Sequence, residues 1–135
     1  GNMVQDGTYV YLFWCYDAGG GAGTHYNTIT RVNKSTGVKD FPSITGTLCP
    51  APSGSMETAP ICTDGTYAYL WHPATDKHKL YRVHLTTFVS DELTLTTSSI
   101  PNPSIRYRLH YLPTYGVVLT LPTGSSKWWA TKLDA

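Results

Sequence analysis

The chain has 135 residues, 14% of them charged, with a formal net charge of +1. That length suits one ordinary domain able to bury a core. The scattered Lys and Arg leave no basic footprint for nucleic acid, and no apolar run approaches the roughly 20 residues that span a bilayer as a helix.

Near the N-terminus, Gly1-Asn2-Met3 reads as an internal start, with no secretory leader pattern. The first informative segment is Asp6-Gly7-Thr8-Tyr9-Val10-Tyr11-Leu12, which returns as Asp64-Gly65-Thr66-Tyr67-Ala68-Tyr69-Leu70. Asp-Gly predicts a tight turn before each apolar run, because Asp bonds nearby backbone amides and Gly accepts unusual φ. The runs Tyr9 to Trp14, Tyr67 to Trp71 and Val117 to Leu121 are apolar at both alternating positions. Such runs predict strands buried on both faces.

A glycine-rich loop, Asp17 to Thr24, follows the first strand. Without a following Gly-Lys-Ser or Gly-Lys-Thr it is not a phosphate loop. It reads as an insertion of the kind in which binding specificity often resides. The next strand is expected over Thr28 to Asn33, then a turn at Lys34-Ser35-Thr36-Gly37 and a short outer strand over Val38 to Phe41. The turn includes an N-glycosylation pattern, Asn33-Lys34-Ser35, relevant only on a eukaryotic secretory route. Pro42 to Ser55 reads as a connecting loop.

The second unit repeats this order. A strand over Glu57 to Cys62 leads, followed by Tyr67 to Trp71, Lys79 to Leu85 and Val89 to Leu95, and Thr96 to Ser104 connects onward. The third unit lies about 50 residues beyond the second without gaps, so Ala68-Tyr69 maps to Val118-Leu119 and Arg82-Val83-His84 to Lys132-Leu133-Asp134. Arg106 to Leu112 is its leading strand, Thr114-Tyr115-Gly116 its turn, and Trp128 to Leu133 its last strand. The first unit shows no obvious leading strand. No segment carries sustained helical periodicity with caps.

The chain is therefore expected to be all-β, a single repeat domain over residues 1–135 with units at about 1–55, 56–105 and 106–135. Units of four short antiparallel strands, opening after Asp-Gly and closing on an Arg-Val to Thr-Gly turn, resemble the blades of a β-propeller. Their period of about 50 residues is nearest to Kelch-type propellers, and the Kelch glycine pair has one echo, at Gly19-Gly20. Two and a half such units make an incomplete ring, so the resemblance implies self-association or a larger parent propeller. A β-sandwich is the alternative arrangement of the same strands.

Candidate chemistry is sparse. Asp6 and Asp64 recur at equivalent positions, which suits turn formation better than catalysis. His78 and His84 share a strand face but lie nearly 20 Å apart at about 3.3 Å per residue, too far for one metal ion. Cys15 and His25 flank the glycine loop without a spacing that guarantees contact. Cys15, Cys49 and Cys62 are an odd number with no CxxC and read mainly as buried thiols, the alternative being a disulfide between two of them that the sequence does not select. No catalytic residue, cofactor or metal site is assigned. Exposed aromatics beside polar loops suit sugar rings or protein hot spots, which makes Tyr16, His25, Tyr26, Trp71, His72, Trp128 and Trp129 the candidate binding residues. Trp128 and Trp129 occupy opposite faces of one strand.

These features point to a non-enzymatic binding or assembly module for protein or glycan contacts. The poverty of charge and wealth of Tyr, Thr and Gly suggest an extracellular or virion setting, such as a tail or surface structural protein. The alternative is a fragment of a sialidase-like propeller glycan hydrolase, which would gather Arg106 and Arg108 with Asp17 or Asp76 at one rim.

Overall fold

A computed structural model describes residues 3–13, 28–49, 61–71, 79–95, 107–122 and 128–133. Among them the chain is all-β, without a helix, in three sheets. The first sheet is a meander of β1 (Met3–Gln5), β2 (Tyr9–Phe13), β3 (Ile29–Asn33) and β4 (Lys39–Asp40). The second has five strands in the order β5 (Thr45–Gly46), β9 (Val89–Thr94), β8 (Lys79–His84), β7 (Tyr67–Trp71) and β6 (Ile61–Thr63). The third comprises β10 (Tyr107–Leu112), β11 (Val117–Pro122) and β12 (Trp129–Lys132). All neighbours are antiparallel except β5, which runs parallel to β9.

Three sequence expectations need correction. The first unit does have a leading strand, β1, in which Val4 is the one inward apolar residue between exposed Met3 and Gln5. The segment after Pro42 is not only a connection, because β5 leaves it to extend the second sheet. The last strand also slips against the repeat. Tyr69 faces Arg82 in the second sheet, but its counterpart Leu119 faces Ala130, and Lys132 stands opposite Val117.

Two apolar clusters join the sheets. Tyr11, Phe13 and Ile29 of the first sheet meet Ala68, Leu70, Tyr81 and Val83 of the second, sealed by Ile44 and Cys49 from the segment around β5. Tyr69, Trp71 and Leu80 on the other face of the second sheet meet Leu109 and Val118 of the third. The inner strands lie in a row, with β6 against β1 on one side and β10 on the other.

Position in this row decides burial. The middle run Ala68–Trp71 is buried on both faces, as its pattern predicts. In the first sheet Tyr11 and Phe13 are buried, while Val10 and Leu12 are only half-buried. In the third, Val118 and Thr120 are buried and Val117 and Leu119 half-buried. The end runs have the same two-sided apolar pattern, but no described element of the chain packs on their outer faces.

The hairpin after β3 turns on Gly37, with φ of 70°, whose amide donates to the Asn33 carbonyl at 2.8 Å. Its counterpart in the second sheet is Phe88, with φ of 57° and the same 2.8 Å bond to the His84 carbonyl. A bulky residue in this left-handed region costs about 1–2 kcal/mol. The Phe88 ring offsets that cost by packing on the first cluster and lying 5.3 Å from the Arg31 guanidinium.

Gly46 is the tightest point of the β5–β9 pairing. With φ of 90°, a Cβ at this position would fall 2.2 Å from the Ser90 carbonyl oxygen. Gly37→Ala meets open space and is expected to cost about 1 kcal/mol through backbone strain alone. Gly46→Ala is expected to cost clearly more, because it also breaks the β5–β9 pairing. Urea unfolding of the two variants compares them directly, and equal losses would contradict the role assigned to β5.

Candidate interaction surface

The repeated Asp-Gly-Thr-Tyr-x-Tyr segment builds one side-chain network twice. Asp64 Oδ1 accepts the backbone amides of Thr66 at 2.8 Å and Tyr67 at 2.7 Å, while the Tyr69 hydroxyl donates to Oδ2 at 2.8 Å. Asp6 does the same with Thr8 and Tyr9, both at 2.7 Å, and with the Tyr11 hydroxyl at 2.6 Å. Each tyrosine thereby spans from a turn to the core, its ring buried and its hydroxyl satisfied. The two carboxylates are turn-forming groups, as the repetition implies.

Across the sheet the network continues through arginine. Arg82 sits opposite Tyr69 and forms a two-pronged pair with Asp91 at 2.7 and 2.9 Å. Its guanidinium also lies 4.8 Å from the Tyr67 ring centre. In the first sheet Arg31 pairs in the same two-pronged way with Asp40 and lies 4.5 Å from the Tyr9 ring. These Tyr–Arg–Asp rows occupy the face that each sheet turns toward the next.

Burial pushes the Asp6 carboxyl upward. The Tyr11 hydroxyl, the Tyr9 and Thr8 amides and the Lys34 ammonium together hold it below the ordinary value of 3.8. Arg31 and Arg82 hold Asp40 and Asp91 below that value by direct hydrogen bonding. Burial, and then the adjacent aspartate, raises Tyr11 and Tyr69, so both stay protonated donors.

His84 is committed locally: its Nδ1 accepts the Thr86 and Thr87 amides at 3.2 Å, the task Asn33 performs in the first sheet. Among the described residues no three metal-ligating side chains converge. Burial pushes the Cys49 and Cys62 thiols up to about 12, which leaves little thiolate at neutral pH. Cys15 and His78 lie outside the described residues.

Of the candidate binding residues, Tyr16, His25, Tyr26 and His72 lie outside the described residues. Trp71 is fully buried between the second and third sheets, so its indole is closed to a ligand in this structure. Trp129 packs on the same cluster, whereas Trp128 on the opposite side is 49% exposed. Among the described residues, Trp71 and Trp129 share one cluster, and Trp128 lies on the opposite side of its strand. Arg108 is exposed, and its suggested rim partners Arg106, Asp17 and Asp76 lie outside the described residues.

The open surfaces are instead the two end faces. On the first sheet, exposed Met3 and half-buried Val10, Leu12 and Val32 form an apolar field beside Gln5, with Thr30 buried within it and Lys39 at the border. On the third, the outward positions of β10 bring Arg108 and His110 beside Leu119 and Val117, with Lys132 across the sheet. Sequence reasoning did not single out this second face; the alternation of Arg108 and His110 in a strand-like run is the signal that could have marked it. Comparison of the chain with family models and with curated proteins finds no match.

The network makes two quantitative demands. Tyr69→Phe is expected to cost about 2 kcal/mol, the usual range for a hydrogen bond to a charged group. Asp64→Ala is expected to cost more, because it strands two amides and the hydroxyl; denaturant titration measures both. The depressed carboxylates Asp6, Asp40 and Asp91 stabilise the fold above about pH 3.8 and lose that contribution as pH falls through their lower folded values. Stability should therefore fall steeply below about pH 4, and the acid limb should be shallower with Asp40→Asn and Asp91→Asn combined.

Proposed function

We propose that this chain is a non-enzymatic binding and assembly module built from β-propeller-like blades. Its two end faces dock further blades, supplied by a second copy or by a longer parent chain. The observation that carries the reading is the burial pattern. All three units have strands apolar on both faces, yet among the described residues only the middle strand, over Ala68–Trp71, is buried at every position, whereas Val10, Leu12, Val117 and Leu119 are half-buried. Large apolar faces left open in this way are characteristic of interaction sites.

The arrangement of the sheets supports propeller-like blades over a sandwich. Inner strands β1, β6 and β10 run in a row, and each sheet meanders outward from its inner strand. The same face of each unit meets the next, Tyr11 and Phe13 in the first sheet corresponding to Tyr69 and Trp71 in the second. A repeating interface of one type extends to additional units without new geometry. The low charge and the abundance of tyrosine fit a virion, tail or surface assembly that contacts protein or glycan, with Trp128 as an exposed aromatic.

Light scattering across a concentration series, combined with two lysine substitutions, tests the reading. The wild-type chain is expected to gain mass with concentration, and Leu12→Lys to hold it at monomer mass. In dilute solution Leu12→Lys should cost about 1 kcal/mol, against more than about 4 kcal/mol for Leu70→Lys, which buries a charge in the core. A chain that stays monomeric, and that Leu12→Lys unfolds as readily as Leu70→Lys, would contradict it and favour a closed sandwich.

A further inference from the structure

Each sheet has a rear face, turned toward the sheet before it, and a front face, turned toward the sheet after it. One register repeats on the rear faces. In the second sheet Ile61, Leu70 and Tyr81 form a row across β6, β7 and β8. Leu109, Thr120 and Trp129 form the same row across β10, β11 and β12. The matching row of the first sheet is Met3, Leu12 and Thr30. The front faces of Tyr11 and Tyr69 cover the second and third of these rows. Among the described residues no sheet lies behind the first row. Met3 is 59% exposed there, whereas its counterpart Leu109 is 9% exposed.

The front faces form a second series. Tyr11 stands opposite Arg31 and Tyr69 opposite Arg82, and Leu119 stands opposite Ala130 at the same place in the third sheet. Leu119 is half-buried, and Trp128 is exposed on the same side of its strand as Ala130. The chain thus ends in one open rear face and one open front face. Both junctions within it are of a single kind, front on rear. A second copy placed head to tail repeats that kind of junction. Pairing rear with rear, or front with front, requires a contact that neither covered junction uses.

Resting on the assembly reading above, we infer that one second copy of this chain occupies both end faces, joined head to tail. The rear face of each copy's first sheet seats on the front face of the other copy's third sheet. Such heterologous contacts make a ring when the rotation closes and a filament when it does not. Propeller rings hold about four to eight blades. Three sheets per chain reach that range at one multiple only, two copies with six sheets. At the first covered junction Tyr11 and Leu70 share a cluster. Their counterparts at the new junction are Leu119 of one copy and Leu12 of the other. Lys39 on β4 and Lys132 on β12 lie on the outermost described strands of their sheets, at the margin, where salt screens exposed charge.

Light scattering of the wild-type chain is expected to level off at the mass of two chains. Leu12→Lys and Leu119→Glu should each weaken that dimer at least about tenfold, because each puts a charge into both apolar junctions. Mixing the two variants should restore a one-to-one dimer. One of its junctions is then unaltered, and the other pairs the introduced lysine with the introduced glutamate. A mixture of isotope-labelled and unlabelled wild-type chains needs no substitution. NOEs between chains should join Met3 and Leu12 to Leu119 and Trp128. A dimer that survives either single substitution, or NOEs between like faces, would overturn the head-to-tail junction and leave self-association standing. Mass that grows past two chains would overturn the closed ring. A monomer at every concentration would overturn the ring and the assembly reading together.

Discussion

A carboxylate that accepts two backbone amides and a tyrosine hydroxyl is the element on which this structure depends. Asp64 closes the turn between β6 and β7, and through Tyr69 it fixes a large ring in the gap between the second and third sheets. Asp6 and Tyr11 repeat the arrangement between the first and second. Local turn chemistry is thereby tied to inter-sheet packing, because the same side chain sets the hairpin and satisfies the one polar atom that the buried tyrosine brings with it. Charge-assisted bonds of this kind are stronger than neutral ones and confine the geometry. The arginine rows beside them, each neutralised by its own aspartate, add a flat, satisfied surface against which the next sheet packs.

Much of the architecture was legible because it is encoded locally. Asp-Gly before an apolar run, and Thr-Gly after Arg-Val in the first unit, mark turns by residue chemistry, and the strands between them carry the expected residues; Phe88, at the left-handed position of the second unit, gives no such signal. What escaped was tertiary. β1 has a single inward residue, Val4, too little for any periodicity. β5 is two residues long and is a strand only because β9 lies beside it. The slip of β12 was hidden because the third unit lacks the Tyr and Arg that mark register in the other two.

The candidate surface shows the same division. The opposite orientation of Trp128 and Trp129 follows from strand alternation, and the structure places one in solvent and one against the core. Trp71 carries the same aromatic chemistry, yet it lies in the middle unit, where neighbours on both sides bury it. Leu12 and Leu70 occupy equivalent places in closely similar local patterns and end with different exposure. No local pattern distinguishes an end unit from a middle one. That distinction is a property of the array, and it determines which surfaces remain available to a partner.

The central claim is that the end faces are open in the isolated chain while the middle unit is covered on both sides. Methyl NMR of a dilute sample with a soluble paramagnetic agent reads this residue by residue. The account predicts strong attenuation of the Val10, Leu12, Val117 and Leu119 methyl signals, with those of Ala68, Leu70 and Val83 protected. Equal protection of both groups would show that the chain covers its own end faces, and would contradict the account.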